Sequence, residues 1–217
     1  LLYSHQPNGS IIFGSEFRAL LAHPDVSREV EPRAIDNYLS FLCVPAPMTA
    51  FRSIRKLRPG HWLRWKDGKV ETRRYWLPDF SKKIKISEAE AIEETTRLLR
   101  EATKIRLISE VPLGAFLSGG VDSSIVAALM AEVSDRSVKT FSIGFEEQDY
   151  SELKYARRVA EHIGAEYNEF VVRPNALEVL PVLVEHYGEP YADSSAIPTY
   201  YVAKETRKHV TVALNGD

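Results

Sequence analysis

The residues best able to do chemistry in this 217-residue chain lie in one string, Ser118-Gly119-Gly120-Val121-Asp122-Ser123-Ser124. Two adjacent glycines allow a sharp turn and a close backbone approach to an anion. Ser118, Ser123 and Ser124 add hydroxyl donors beside backbone N–H groups that open a helix. A triphosphate fits such a loop. Asp122 is out of place beside phosphates unless a divalent cation lies between, so it reads as a Mg²⁺ carboxylate. The string is not a Walker A loop, because no lysine lies between Lys104 and Lys139, and no G-x-G-x-x-G marks a dinucleotide fold of the usual kind.

The loop has meaning only if a strand leads into it and a helix leaves it. Leu113 to Leu117 is a short apolar run, and Ser123 to Val133 alternates apolar and small residues, which predicts that order. The pattern continues on both sides. Ser87 and Glu90 form a capping-box signature ahead of a helical repeat reaching Ile108. Further strands are predicted at 138–145, 167–172 and 210–214. Helices are predicted at 151–163, 176–187 and 197–207, the last with Pro198 at its first position. Strands alternating with helices predict an α/β domain, a parallel sheet with helices on both faces. In such a sheet ligands bind beyond the carboxyl ends of the strands. The loop at 118–124 lies there, as do Ser142-Ile143-Gly144-Phe145 and Asn215-Gly216-Asp217. Ile143 can pack on an adenine, with Gly144 allowing close approach, or serve as a core strand residue. Asn215-Gly216 offers exposed amides to ribose or phosphate, and Asp217 could ligate Mg²⁺ or orient a nucleophile.

Residues 1–80 read differently, as short β elements around one helix. Ile11 to Gly14 is β-prone, Ala34 to Leu42 is helical, and Asp67-Gly68 sits between two β-prone runs as a hairpin turn. The polar stretch from Leu77 to Lys85 is the linker candidate. The expected division is therefore 1–80 and 81–217.

Composition bounds the partners. A formal charge of -2 gives no electrostatic footprint for nucleic acid or an anionic membrane, and no apolar run reaches the length of a membrane span. Neither is an expected partner, and the cytoplasm is the default location. The single cysteine, Cys43, excludes an internal disulfide; its apolar neighbours suggest a small buried hydrophobe. The final run, Val210 to Asp217, is a buried-strand pattern passing into a loop, which suggests a fragment of a longer chain.

Several of these segments resemble known sequences. Ser118 to Ser124 resembles the PP-loop of the N-type ATP pyrophosphatases. Taken with Ser142 to Phe145, Gly188 to Tyr200 and Leu214 to Asp217, it is similar to the synthetase domain of glutamine-hydrolysing asparagine synthetases. Phe13 to Leu20 resembles the end of that family's glutaminase domain, and Val30 to Trp76 its connecting segment. The resemblance implies an adenine nucleotide alpha hydrolase-like domain, truncated, after a small β-rich tail of an Ntn-type glutaminase domain. It implies ATP and Mg²⁺, with Leu117, Ile143, Asn215 and Gly216 at the adenosine part. Ser118, Gly119, Gly120, Val121, Ser123 and Ser124 would lie at pyrophosphate, Asp122 at the metal, and Asp217 near an activated carboxylate. The implied reaction forms an amide through an acyl-adenylate, from aspartate or another carboxylate and glutamine-derived ammonia. A homodimer is left open. The cysteine nucleophile of the family's glutaminase lies upstream of the part matched here. At the position where aspartate-specific members carry an arginine, four residues before Pro198, this chain has Ser194.

Overall fold

The computed structural model describes residues 1–145 and 152–216. Their contacts divide the chain into two compact units. One holds residues 1–83 with 176–194; the other holds 84–175 with those from 195 onward.

In the first unit, strand β1 (Leu2–His5) pairs antiparallel with β2 (Ile11–Gly14) on one side and β3 (Arg55–Lys56) on the other. Helix α1 (Phe17–Leu21) buries Phe17 and Leu20 in a small core with Leu2, Val26 and Ile54. Helix α2 (Pro32–Phe41) starts on proline, whose fixed φ suits the first turn, and ends where Leu42 turns left-handed at φ 59°. The hairpin β4 (His61–Lys66) and β5 (Lys69–Arg74) closes through Asp67 and Gly68. Both turn residues have positive φ, 50° and 71°, the backbone of a tight turn that matches strand twist. The sequence reading missed β1, β3 and α1, all five residues or shorter. It also placed Cys43 in a core. The thiol is exposed, because α2 has already ended and the left-handed Leu42 turns the chain away.

The second unit opens with α3 (Glu88–Arg106), and the expected capping box is formed: Ser87 Oγ accepts from the Glu90 N–H at 3.3 Å while the Glu90 carboxylate accepts from the Ser87 N–H at 2.8 Å. That backbone bond, and then the Ser87 hydroxyl, hold the Glu90 carboxyl below the ordinary glutamate range. A depressed folded pKa stabilises the helix start above the ordinary glutamate range, and the contribution is lost as pH falls through the lowered value. Replacing Ser87 by alanine is expected to cost about 1 kcal/mol of stability. Glu90→Ala should lower Tm at neutral pH, and melting curves on acidification should show that gap closing.

The sheet follows. β6 (Leu113–Phe116), α4 (Val121–Val133), β7 (Lys139–Phe145), α5 (Leu153–Ile163) and β8 (Glu166–Val172) alternate. Next, α6 (Ala176–Tyr187) belongs to the first unit, and α7 (Ala196–Thr206) and β9 (Val212–Leu214) return to the second. The four strands run parallel in the order β8-β7-β6-β9. Helices cover both faces, as expected. Gly144 faces Leu153 of α5, where an added Cβ would lie 2.3 Å from Leu153 Cδ1. From the opposite face Phe141 and Phe170 meet His209, just past α7. Buried Leu117, Ala127, Ala156 and Ala160 join α4 and α5 on one side of β6.

The element ends differ from expectation in informative ways. Pro198 is the third residue of α7, not the first. β9 starts two residues late, because the Val210 N–H still bonds to the Thr206 carbonyl and closes the helix. Among the described residues no helix is long and apolar enough to cross a membrane.

Candidate functional site

The strand order makes β6 the switch point of the sheet: the chain leaves it toward β7 on one side, and β9 returns on the other. A crevice beyond the carboxyl ends of β6 and β9 is where such a sheet receives a ligand. Both loops picked out in the sequence emerge there.

The first runs from Leu117 to Gly120 and enters α4 at Val121. Buried Leu117 anchors it: its N–H donates to the Phe141 carbonyl at 2.9 Å, and its own carbonyl accepts from Ser142 Oγ. Ser123, also buried, organises the turn from inside. Its hydroxyl accepts from the Ser118 N–H (3.3 Å), shares a hydrogen bond with Ser118 Oγ (2.8 Å) and donates to the Gly120 carbonyl (3.2 Å). Ser124 Oγ donates to the same carbonyl at 2.6 Å. Gly120 caps α4 without a side chain, which leaves the first-turn amides to an external acceptor.

The two glycines do different work. Gly119 has φ 85°, and a Cβ there would lie 2.6 Å from both Ala156 N and Tyr155 Cβ, so it lets the loop lie against α5. At Gly120 an added Cβ would meet only Ser118 Oγ, at 3.2 Å; this is the open side, where an anion can approach the backbone. Val121 and Asp122 are exposed in the first turn of α4, and Asp122 makes no ion pair among the described residues.

The second loop follows β9. Gly216 packs against the start of α4, since a Cβ there would lie 2.5 Å from Ser123 N. Asn215 Oδ1 accepts from the Gly216 N–H at 2.9 Å. Asp217 lies outside the described residues.

A cleft of about 400 Å³ opens over these elements. It brings together Leu117, Ser118, Ile143 and Asn215 among the residues expected at a nucleotide, and the loop at 119–124 and Gly216 adjoin it. Gly144 lines it as well, but the missing side chain there makes room for Leu153 rather than for a ligand. The sequence reading missed Ser195, Pro198, Thr199 and Val202 from α7 and its approach, and Glu152 before α5. Ser195, Pro198 and Thr199 fall within the Gly188 to Tyr200 motif, yet only the packing of α7 on β7 shows which way they face.

The donors suit a polyphosphate held through a divalent cation: a glycine that keeps the backbone open, a ring of hydroxyls, uncapped helix amides and one exposed carboxylate. Mg²⁺ takes one or two protein carboxylates plus phosphate oxygens, so Asp122 alone is enough from the first turn of α4. Among the described residues no group of three or more His, Cys, Asp or Glu forms a self-contained metal site.

Residues 94–217 match the family model described as asparagine synthase, and residues 1–76 match a glutamine amidotransferase domain. The chain is 37% identical to asparagine synthetase (glutamine-hydrolyzing) 1 of Bacillus subtilis (strain 168), over 100% of this chain and 34% of that protein. A relative from Methanocaldococcus jannaschii is 36% identical over 99% of this chain and 42% of its own length. The chain thus spans about a third to two fifths of these curated relatives. The solved NMN synthetase from Francisella tularensis is 14% identical with a TM-score of 0.41, covering 61% of this chain and 56% of that one. That likeness is too slight to add to the fold read from the strands.

Proposed function

The chain belongs to the asparagine synthase family, and from this premise we propose that it carries the ATP site of an amide-forming ligase that works through an acyl-adenylate. The observation that carries the proposal is the switch-point crevice, where the Ser118–Ser124 loop, Ile143 and Asn215-Gly216 converge. A carboxylate oxygen attacks the α-phosphorus of ATP, the bond to the β-phosphate oxygen breaks, and pyrophosphate leaves. Ammonia then attacks the acyl carbon, expelling AMP and losing a proton, to give the amide. Displacing oxide from a carboxylate is prohibitive, so adenylation supplies the leaving group.

The chain's own residues divide this work. Leu117, Ile143, Asn215 and Gly216 hold the adenosine part. The amides at the start of α4, the Ser118 hydroxyl and, once it turns from the Gly120 carbonyl, the Ser124 hydroxyl receive the charge that builds on pyrophosphate, while Ser123, buried and committed to Ser118 and Gly120, keeps the loop in shape. Asp122 would hold Mg²⁺, which when bound neutralises phosphate charge. Asp217 is assigned to the region of the activated carboxylate.

Aspartate is the favoured carboxylate and glutamine the favoured ammonia source, the latter supported by the amidotransferase match over residues 1–76. Ser194 supports a second reading: without an arginine there, no guanidinium clamps a second carboxylate from that position, so another acid can be the acyl substrate. The test is product analysis with full-length protein, ATP, Mg²⁺ and ammonia against a panel of carboxylates. The proposal expects AMP and pyrophosphate in equal amounts with the true substrate; ADP and phosphate would overturn it.

A further inference from the structure

Within the second unit, strand β7 runs past the end of β6. Its pairing with β6 stops at Phe141, whereas residues 142–145 go on pairing with β8. In a parallel sheet the N–H and C=O of one residue point to the same neighbouring strand, and those of the next residue point to the opposite one. The Phe141 carbonyl accepts from the Leu117 N–H at 2.9 Å, on the β6 side, so the peptide edge of Ile143, two residues on, faces that side too. The next rung of the ladder would run from the Ile143 N–H to the Leu117 carbonyl. It is not formed; the Ser142 hydroxyl donates to that carbonyl instead. Leu117 is 1% exposed and Ser142 3%, so water cannot take over if the hydroxyl is removed, and a buried acceptor left without a donor is costly. A side chain thus stands where a backbone rung would be. The ladder opens one step early, into the cleft that Leu117, Ser142 and Ile143 line.

We propose that Ser142 is a positioning residue for base recognition: by holding the Leu117 carbonyl it keeps the Ile143 N–H and C=O open, as a donor and an acceptor for the edge of a planar nitrogen base. A 6-aminopurine suits that pair, because its amino group donates and a neighbouring ring nitrogen accepts. The base in this statement rests on the nucleotide reading proposed above; the open edge does not. A serine that only packed the strand would affect stability, and would not separate base binding from phosphate binding.

The test uses full-length protein. Amide hydrogen exchange, localised to Ile143 by mass spectrometry with electron-transfer fragmentation, should be fast in the wild type and at least about tenfold slower in Ser142→Ala, where the Ile143 N–H closes the rung. Ser142→Thr keeps the hydroxyl and should exchange like the wild type. Calorimetric titrations follow, at a temperature where circular dichroism shows the fold intact. Ser142→Ala should weaken binding of the Mg²⁺ complex of α,β-methylene-ATP about tenfold, the scale of one lost hydrogen bond, and should change binding of Mg²⁺-pyrophosphate by less than about twofold. Equal losses for the two ligands, or no loss for either, would overturn the proposal. So would an Ile143 amide that is already slow in the wild type, and that measurement decides alone if Ser142→Ala does not fold. Wild-type protein that fails to bind the analogue would contradict the nucleotide reading instead, and exchange at Ile143 then decides the role of Ser142 by itself.

Discussion

Replacing Gly119 by valine is expected to reduce AMP and pyrophosphate formation by about a hundredfold or more, since displacing a positioned group by about 1 Å can cost that much. The residue has φ 85°, a backbone that a β-branched side chain disfavours strongly. Its new Cβ would also fall 2.6 Å from Ala156 N, which is backbone within α5 and cannot swing aside. The loop has to move, and Ser118 with it, so the network centred on Ser123 breaks. Gly120→Ala makes the contrast. Its φ of -70° suits alanine, and the added methyl meets only Ser118 Oγ. That variant should keep the Tm of the wild type and lose nucleotide affinity, because the methyl stands on the open side of the loop. Wild-type turnover in Gly119→Val, measured as pyrophosphate release, would contradict the assigned cradle.

Asp122→Asn is expected to separate activity from stability. The carboxylate is exposed and makes no ion pair among the described residues, so the Tm should barely move, as for an ordinary surface change of within about 0.5 kcal/mol. Turnover should fall about a hundred- to a thousandfold, the usual effect of removing one group that stabilises developing charge. Raising Mg²⁺ should recover part of the loss, because asparagine retains an oxygen ligand but not the charge. Steady-state assays across a Mg²⁺ series with a parallel thermal melt measure both effects. Unchanged turnover at low Mg²⁺ would remove Asp122 from the site.

Much of this site was legible in the sequence because its physics is local. A strand, a Gly-Gly turn and an uncapped helix start are neighbours along the chain, and alternating strands and helices dictate a parallel sheet. Leu117, Ser118, Ile143 and Asn215 could therefore be placed at strand ends before any packing was known. What was not legible depends on contacts between distant residues. Ser195, Pro198 and Thr199 face the cleft only because α7 packs against β7. Gly144 looked like a ligand-approach glycine, but its space is taken by Leu153. Helix α6 follows β8 in order yet packs with residues 1–83, a placement that Glu189 helps to hold from more than 130 residues away. Strands such as β1 and β3 carry too few residues to show a period, and their pairing decides them.

Oxygen tracing tests adenylation most directly. Full-length protein is given ATP, Mg²⁺, ammonia and a carboxylate substrate labelled with ¹⁸O in both carboxyl oxygens. Attack of that carboxylate on the α-phosphorus, followed by ammonia at the acyl carbon, leaves one ¹⁸O on the phosphate of each AMP formed. AMP carrying one label, with one labelled oxygen retained in the amide, is the predicted result. Unlabelled AMP, or label appearing only in inorganic phosphate beside ADP, would contradict it.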